Sequence, residues 1–234
     1  MSEYLNTALF GIYPYIALSV LAIGSIIRYD REPYSWKAGS TQLLRRRQLV
    51  MGSVLFHVGV LVVFFGHLVG LLTPIALFDA LGISHGAKQI LAIVAGGVAG
   101  TLALIGATLL MHRRFADPRI RKHSSFGDNA ILILLYLQLL LGLGTIFISV
   151  QHLDGHEMTT FMSWAQGIFT LDFRAASYII GAHWIFKAHL LLGLTIFLVF
   201  PFTRLVHMFS APLRYVLRQG YQVVRRKPVR GAEK

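Results

Sequence analysis

The chain has no cysteine in its 234 residues. That absence excludes disulfides, thiolate ligation of any metal, cysteine-bound iron–sulfur clusters and covalent CxxCH attachment of a haem. Charge is scarce too: 14% of residues are charged, against 55% apolar. Such a composition belongs to a membrane protein rather than a soluble domain. Acidic residues are the scarcest charged class, 10 against 22 Lys and Arg, leaving a formal net charge of +12. No internal repeat is visible. The opening MSEYLN lacks a basic n-region and runs into a full-length apolar segment, so no cleavable signal is expected.

What the chain does have is long apolar runs. A spanning helix needs roughly 20 mostly apolar residues. Five segments qualify, at 7–28, 49–72, 88–111, 129–150 and 183–207. The expected fold is all-α: one five-helix membrane domain over 1–209, followed by a basic tail over 210–234 suited to docking soluble subunits.

The basic residues are unevenly placed. The segments 28–48, 112–127 and 204–234 hold nineteen of the twenty-two Lys and Arg. Lys88, Arg174 and Lys187 fall on or near the other side. The positive-inside rule then puts the N-terminus outside, in the periplasm or its equivalent, and the C-terminus in the cytoplasm. Topology and anionic lipid headgroups account for the excess charge, with no need for nucleic acid. The loop 151–182 is external, with a surface helix near 158–170 presenting Phe161, Trp164 and Phe169 to the interface. The external segment 73–87 is partly apolar and suited to capping a pocket.

Two apolar runs each carry two histidines: His57 and His67 in the second, His189 and His207 in the fifth. Ionisable groups inside a bilayer are costly and usually functional. A lone histidine in a span is more often a satisfied polar group than a ligand. Two pairs on antiparallel spans instead point to two haems stacked across the membrane, since imidazole is a common axial ligand of haem iron. On a continuous helix His189 and His207 would share a face, five whole turns and about 27 Å apart. His57 and His67 would be about 15 Å apart along the axis and roughly 80° apart around it. Depth pairs His57 with His207 and His67 with His189, with a mismatch of about 12 Å left over. Gly66, beside His67, is the small residue best placed to belong to a site.

The stretches FGIYPYIALSVLAIGSIIRYD, LFHVGVLVVFFGHLVGLLTP, AGGVAGTLALIGATLLMHRRF, QHLDGHEM and LLLGLTIFLVFPFTRLVH, with the histidine spacing, resemble the gamma subunit of membrane-bound respiratory nitrate reductase, a di-haem cytochrome b. The resemblance covers nearly the whole chain. It implies two b haems. His57 and His207 would hold the proximal one, and His67 and His189 the distal one. It implies a quinol site at Lys88, Gly66 and His67, near the outer face. Electrons would pass through both haems to an iron–sulfur beta subunit, then to a molybdenum-containing alpha subunit that reduces nitrate to nitrite. The iron–sulfur clusters and molybdenum cofactor belong to those partners. Arg113, Arg114 and Arg204 stand where cytoplasmic-side propionates could be paired, or serve as topological anchors.

Two other readings compete. One is a di-haem subunit of another complex, of the hydrogenase or heterodisulfide-reductase type. The other is a haem-free transporter, disfavoured by continuous spans and the absence of a repeat. The fragment His156-Glu157 opens an HExxH pattern but position 160 is Thr, which excludes a zinc protease motif.

Overall fold

The computed structural model describes residues 2–35, 41 and 43–210. The tail at 211–234, expected to dock soluble subunits, lies outside the described residues. Five helices are long and apolar enough to cross a membrane. They are α1 (Glu3–Arg31), α2 (Arg46–Leu72), α4 (His85–Ala116), α6 (Phe126–Ser149) and the span Trp184–Phe202, whose α-helical part, α9, is Trp184–Val199. Shorter helices fill the connections: α3 (Ile75–Ala80), α5 (Pro118–Lys122), α7 (His156–Phe169) and α8 (Ala175–Tyr178). No strand occurs among the described residues.

Polar caps set where several helices start. Ser84 Oγ accepts from Ala87 N at 3.2 Å and starts α4. Ser125 Oγ accepts from Asp128 N at 3.1 Å and starts α6. Each cap satisfies a backbone donor that the first helical turn leaves free.

The spans pack in the order α2, α4, α6, α9, α1. Small residues bring α2 and α4 together. A Cβ added at Gly106 would lie 2.3 Å from Phe56 N, and one at Gly59 would lie 2.4 Å from Ala99 O. The two backbones therefore touch, as small-residue faces allow in a membrane. α2 and α9 are not close-packed neighbours. They face each other with histidine rings between them.

Two prolines shape the bundle. Pro14 has no N–H to donate to the Phe10 carbonyl, and α1 widens into a π-helical turn at Ala8–Ile12. The Trp164 indole N–H takes the vacant place, donating to Phe10 O at 2.9 Å. This fastens α7 to α1. Trp164 is thus buried, as a core residue beside Phe10, Ala17 and Ile179. The expectation that it sits at the membrane interface is corrected by that hydrogen bond. Phe169 is exposed, and Phe161 packs on Phe186 with ring centroids 4.9 Å apart.

Pro201 ends the fifth span early. The chain turns through a 3₁₀ segment (Phe200–Phe202), an extended Thr203 (φ −117°, ψ 177°) and a second 3₁₀ segment (Arg204–Ser210). The continuous helix expected over 183–207 is therefore broken, and the five-turn alignment of His189 with His207 does not hold. α1 supports the break. Gly24 makes room for the Pro201 ring, which a Cβ there would meet at 2.9 Å. Arg28 Nη1 donates to Pro201 O at 2.6 Å and to Thr203 O at 2.8 Å, satisfying carbonyls that the lost helix leaves open.

Candidate functional site

α2 carries His57 and His67; α9 carries His189; the second 3₁₀ segment carries His207. The fold brings them together in two pairs. The rings of His57 and His207 have centroids 6.2 Å apart, and those of His67 and His189 are 6.1 Å apart. The break at Pro201 resolves the axial mismatch: His207 is not carried down a straight helix, and the turn re-aims it to the level of His57.

Three of the four rings have their tautomer fixed by a backbone carbonyl. Nδ1 of His57 lies 2.7 Å from Ser53 O, Nδ1 of His67 2.8 Å from Val63 O, and Nδ1 of His207 2.6 Å from Arg204 O. A carbonyl only accepts, so each Nδ1 carries the proton and each Nε2 keeps its lone pair. A metal-binding histidine has this second bond in nearly every site. His189 is held differently. Gln138 Nε2 donates to its backbone carbonyl at 3.1 Å, and its ring lies against Gly142, where a Cβ would stand 2.9 Å from Cε1. Its buried Nδ1 has no hydrogen-bond partner.

The spacing suits a metal held between facing imidazoles. A metal–nitrogen bond of about 2 Å on each side, plus the ring radii, gives roughly 6 Å between centroids. Cβ atoms added at Gly66 and Gly70 would meet nothing within 4 Å, so the α2 surface beside His67 is open. Among the described residues no three His, Cys, Asp or Glu gather to hold a bare ion. Each pair offers two facing imidazoles, too few donors for a bare ion and compatible with a group that brings further ligands of its own; in the second pair His189 Nε2 also lies 3.4 Å from Gln138 Nε2.

Lys88 is buried at the head of α4. Its ammonium donates to Gly70 O at 2.8 Å and to Met162 Sδ at 2.7 Å, and lies 3.7 Å from the centre of the Phe78 ring. Gln166 on α7 donates to Leu71 O at 3.0 Å and Thr73 O at 2.9 Å. Lysine and glutamine together close the C-terminal carbonyls of α2, the helix that bears Gly66 and His67. Phe78 on α3, within 73–87, covers the lysine.

The three arginines divide. Arg113 is buried and donates to Thr41 O and Leu44 O, each at 2.7 Å. It stitches the α1–α2 connection to α4. Arg114 has a buried Nη1 with no partner. Arg204, three residues before His207, stands 3.7 Å from Asp128.

Residues 6–227 match the family model described as nitrate reductase gamma subunit. The chain belongs to that family. It is 47% identical over 225 residues to the respiratory nitrate reductase 2 gamma chain of Escherichia coli (strain K12), covering 96% of this chain and 99% of that one. It is 46% identical to the respiratory nitrate reductase 1 gamma chain of the same organism, covering 95% and 98% of the two chains. To the nitrate reductase gamma chain of Bacillus subtilis (strain 168) it is 40% identical, covering 94% and 97%. This gamma chain is therefore a subunit of an oxidoreductase complex, and its nitrate reductase family sets aside the transporter and the hydrogenase or heterodisulfide-reductase type. Sequence reasoning missed four residues of the gamma chain's site region: Gln138, Gly142, Met162 and Gln166. A lone glutamine inside the apolar LLYLQLLLG of α6 was the available signal for the first.

Proposed function

We propose that this gamma chain is the quinol-oxidising membrane anchor of a respiratory nitrate reductase and holds two b haems in series. The observation that carries the reading is the double pairing of imidazoles at 6.2 and 6.1 Å. His57 and His207 would hold the proximal haem, and His67 and His189 the distal one. When bound, haem would supply one-electron redox chemistry, and the imidazoles of the two pairs would hold it.

The chain's own residues do the rest. The Ser53, Val63 and Arg204 carbonyls fix three ring tautomers and raise ligand basicity. The unpartnered Arg114 Nη1 and the nearby Arg204 suit propionates on the proximal side. The open surface at Gly66 and Gly70 admits a flat ring beside His67. Lys88 can turn its ammonium from Met162 Sδ to a quinol oxygen while staying bound to Gly70 O. A cation there stabilises the oxygen as its proton leaves.

The basic loops orient the chain with Lys88 and His67 toward the outside. Quinol oxidation then releases protons outside while electrons move inward. They pass to an iron–sulfur beta subunit and a molybdenum-containing alpha subunit on the cytoplasmic face, where nitrate is reduced. The proximal basic surface and the tail at 210–234 dock those subunits and anionic lipid.

The test is a set of reduced-minus-oxidised spectra on membranes carrying the complex. His57→Ala and His207→Ala are expected to remove one low-spin b-type component, and His67→Ala and His189→Ala the other. Absence of b-type bands from the folded wild-type chain would refute the reading. A different grouping of the four variants would refute the pairing.

A further inference from the structure

None of the six residues of α3, the short helix over Lys88, is buried. Two consecutive side chains tie it to the first turn of α4. The Phe78 ring centre lies 3.7 Å from Lys88 Nζ. Asp79 Oδ1 accepts from His85 Nε2 at 2.9 Å. The first contact belongs to the proposed quinol site. The second sets an imidazole and a carboxylate beside it.

His85 and Lys88 are three residues apart on α4, so they share a face, with Cβ atoms about 5–6 Å apart. With Lys88 toward the outside, as proposed above, His85 stands about 4.5 Å further out along the axis. It is also the wetter residue. Lys88 is 7% exposed, whereas the side chains of His85 and Asp79 are 40% and 55% exposed. The way from the buried ammonium to water therefore passes a hydrogen-bonded imidazole within one helical turn.

The pair is arranged as a base. A carboxylate only accepts, so Nε2 carries the proton of the neutral His85 ring and Nδ1 keeps its lone pair. A carboxylate bound to one ring nitrogen orients an imidazole and steadies the imidazolium formed when the other nitrogen takes a proton. Water reaches both side chains and screens their attraction, so Asp79 does not hold that second proton fast. The loop before α7 packs on the same turn. A Cβ added at Gly155 would lie 2.6 Å from His85 Cβ. Its neighbours Asp154 and His156 engage each other, Asp154 Oδ1 accepting from His156 N at 3.2 Å. The titratable groups around His85 are thus Asp79 from α3, Lys88 from its own helix, and Asp154 and His156 from the loop.

We propose that His85, oriented by Asp79, is the proton acceptor of the quinol site, taking protons from the quinol hydroxyls and passing them to the outer aqueous phase. This rests on the quinol-oxidising reading above. In balance, a quinol breaks two O–H bonds to become a quinone. Its two electrons leave one at a time and reduce ferric haem to ferrous. Each proton goes to the Nδ1 lone pair of neutral His85, directly or through one water. The imidazolium gives a proton to bulk water before the next arrives, which restores the neutral ring. Lys88 holds the oxygen, and His85 removes the proton.

The test uses the intact complex in proteoliposomes, with duroquinol, a tetramethyl benzoquinol, as donor. Glutamine at position 85 separates a base from a mere latch on α3, because its amide can donate to Asp79 but takes no proton. In His85→Gln, kcat for quinol-driven haem reduction and for outer-face proton release is expected to fall roughly 100-fold, with KM for duroquinol little changed. Reduction of the same haems by dithionite stays at the wild-type rate. Added imidazole is expected to restore part of the rate in His85→Ala and to leave the wild type unchanged. Wild-type rates in His85→Gln would overturn the proposal and leave the pair a latch. So would a slow His85→Ala that imidazole does not speed, or a raised KM with kcat unchanged. If duroquinol fails to reduce the haems of the wild type, the quinol reading falls and the proton acceptor with it. If the His85 variants lose their dithionite-reducible haem, Asp79→Asn decides. It keeps the ring and removes its carboxylate, so a lowered kcat at unchanged KM is expected, and wild-type rates would overturn the proposal.

Discussion

Gly142→Ala tests whether the His189 ring is held in place by the α6 backbone. The added Cβ would lie 2.9 Å from His189 Cε1, closer than carbon atoms normally approach. An ordinary contact is reached only if the ring moves by about 0.5–1 Å, and overpacking of this kind costs roughly 1–3 kcal/mol. Alanine is also the better helix former, by about 1 kcal/mol over glycine in a helix interior. A ring that could yield freely would therefore make the variant more stable. A ring fixed against His67, with centroids 6.1 Å apart, cannot yield without spoiling that spacing. If the full cost falls on ligation, affinity for the distal haem drops roughly 5- to 150-fold, at 1.4 kcal/mol per tenfold. The assay is haem-to-protein stoichiometry, with difference spectra to assign what is lost. The distal component should fall and the proximal one stay. Full occupancy of both haems, with a raised melting temperature, would refute the reasoning.

Other expectations follow from named contacts. In Gly106→Ala the new methyl meets backbone at Phe56 N (2.3 Å) and Gly52 O (2.7 Å), so α2 and α4 must separate. A melting point lowered by the equivalent of about 1–3 kcal/mol, with loss of the proximal spectral component as His57 follows Phe56, is expected in detergent. Arg113→Leu leaves the Thr41 and Leu44 carbonyls without their charged donor, at a cost of about 1.5–3 kcal/mol. Thermal melts should show it, while both haem bands keep their positions; displaced bands would contradict the anchoring role. For Glu157, the folded carboxyl binds its proton more tightly than the unfolded one, whose ordinary value is 4.5. Its contribution to stability is therefore greatest below that value and declines as pH rises through the shifted one. Melts recorded against pH should fall more steeply above 4.5 for the wild type than for Glu157→Gln; parallel curves would argue against a buried acid.

The spans were legible because a bilayer demands length and apolarity together. Their ends were not. α4 runs from His85 to Ala116, well beyond the apolar run at 88–111, since the Ser84 cap and the polar stretch after Met111 continue the helix outside the hydrocarbon. The helix between the fourth and fifth spans was legible within a few residues of its bounds. Its role was misread, because an aromatic pattern cannot tell a lipid-facing tryptophan from one that meets a carbonyl vacated by Pro14 in another span. The histidine pairing was legible from order and topology. The geometry between His189 and His207 was not, because a uniform helical rise was carried through Pro201. Gly142 and Gln166 stood out less than the glutamine in the apolar run of α6, because each acts on a residue far away in the chain.

The two sides of the histidine site differ in stiffness. On α2 one unbroken helix fixes the interval between His57 and His67, as a ruler does. Opposite it, Thr203 is a joint between α9 and the segment bearing His207, clamped by Arg28. Errors of length therefore have unequal consequences. A residue inserted between His57 and His67 rotates one ring by about 100° and unmakes a pair. A residue inserted beside Thr203 falls outside both helices and leaves the interval on α2 unchanged. Descendants of this sequence can alter the length of the joint but not the length of the ruler.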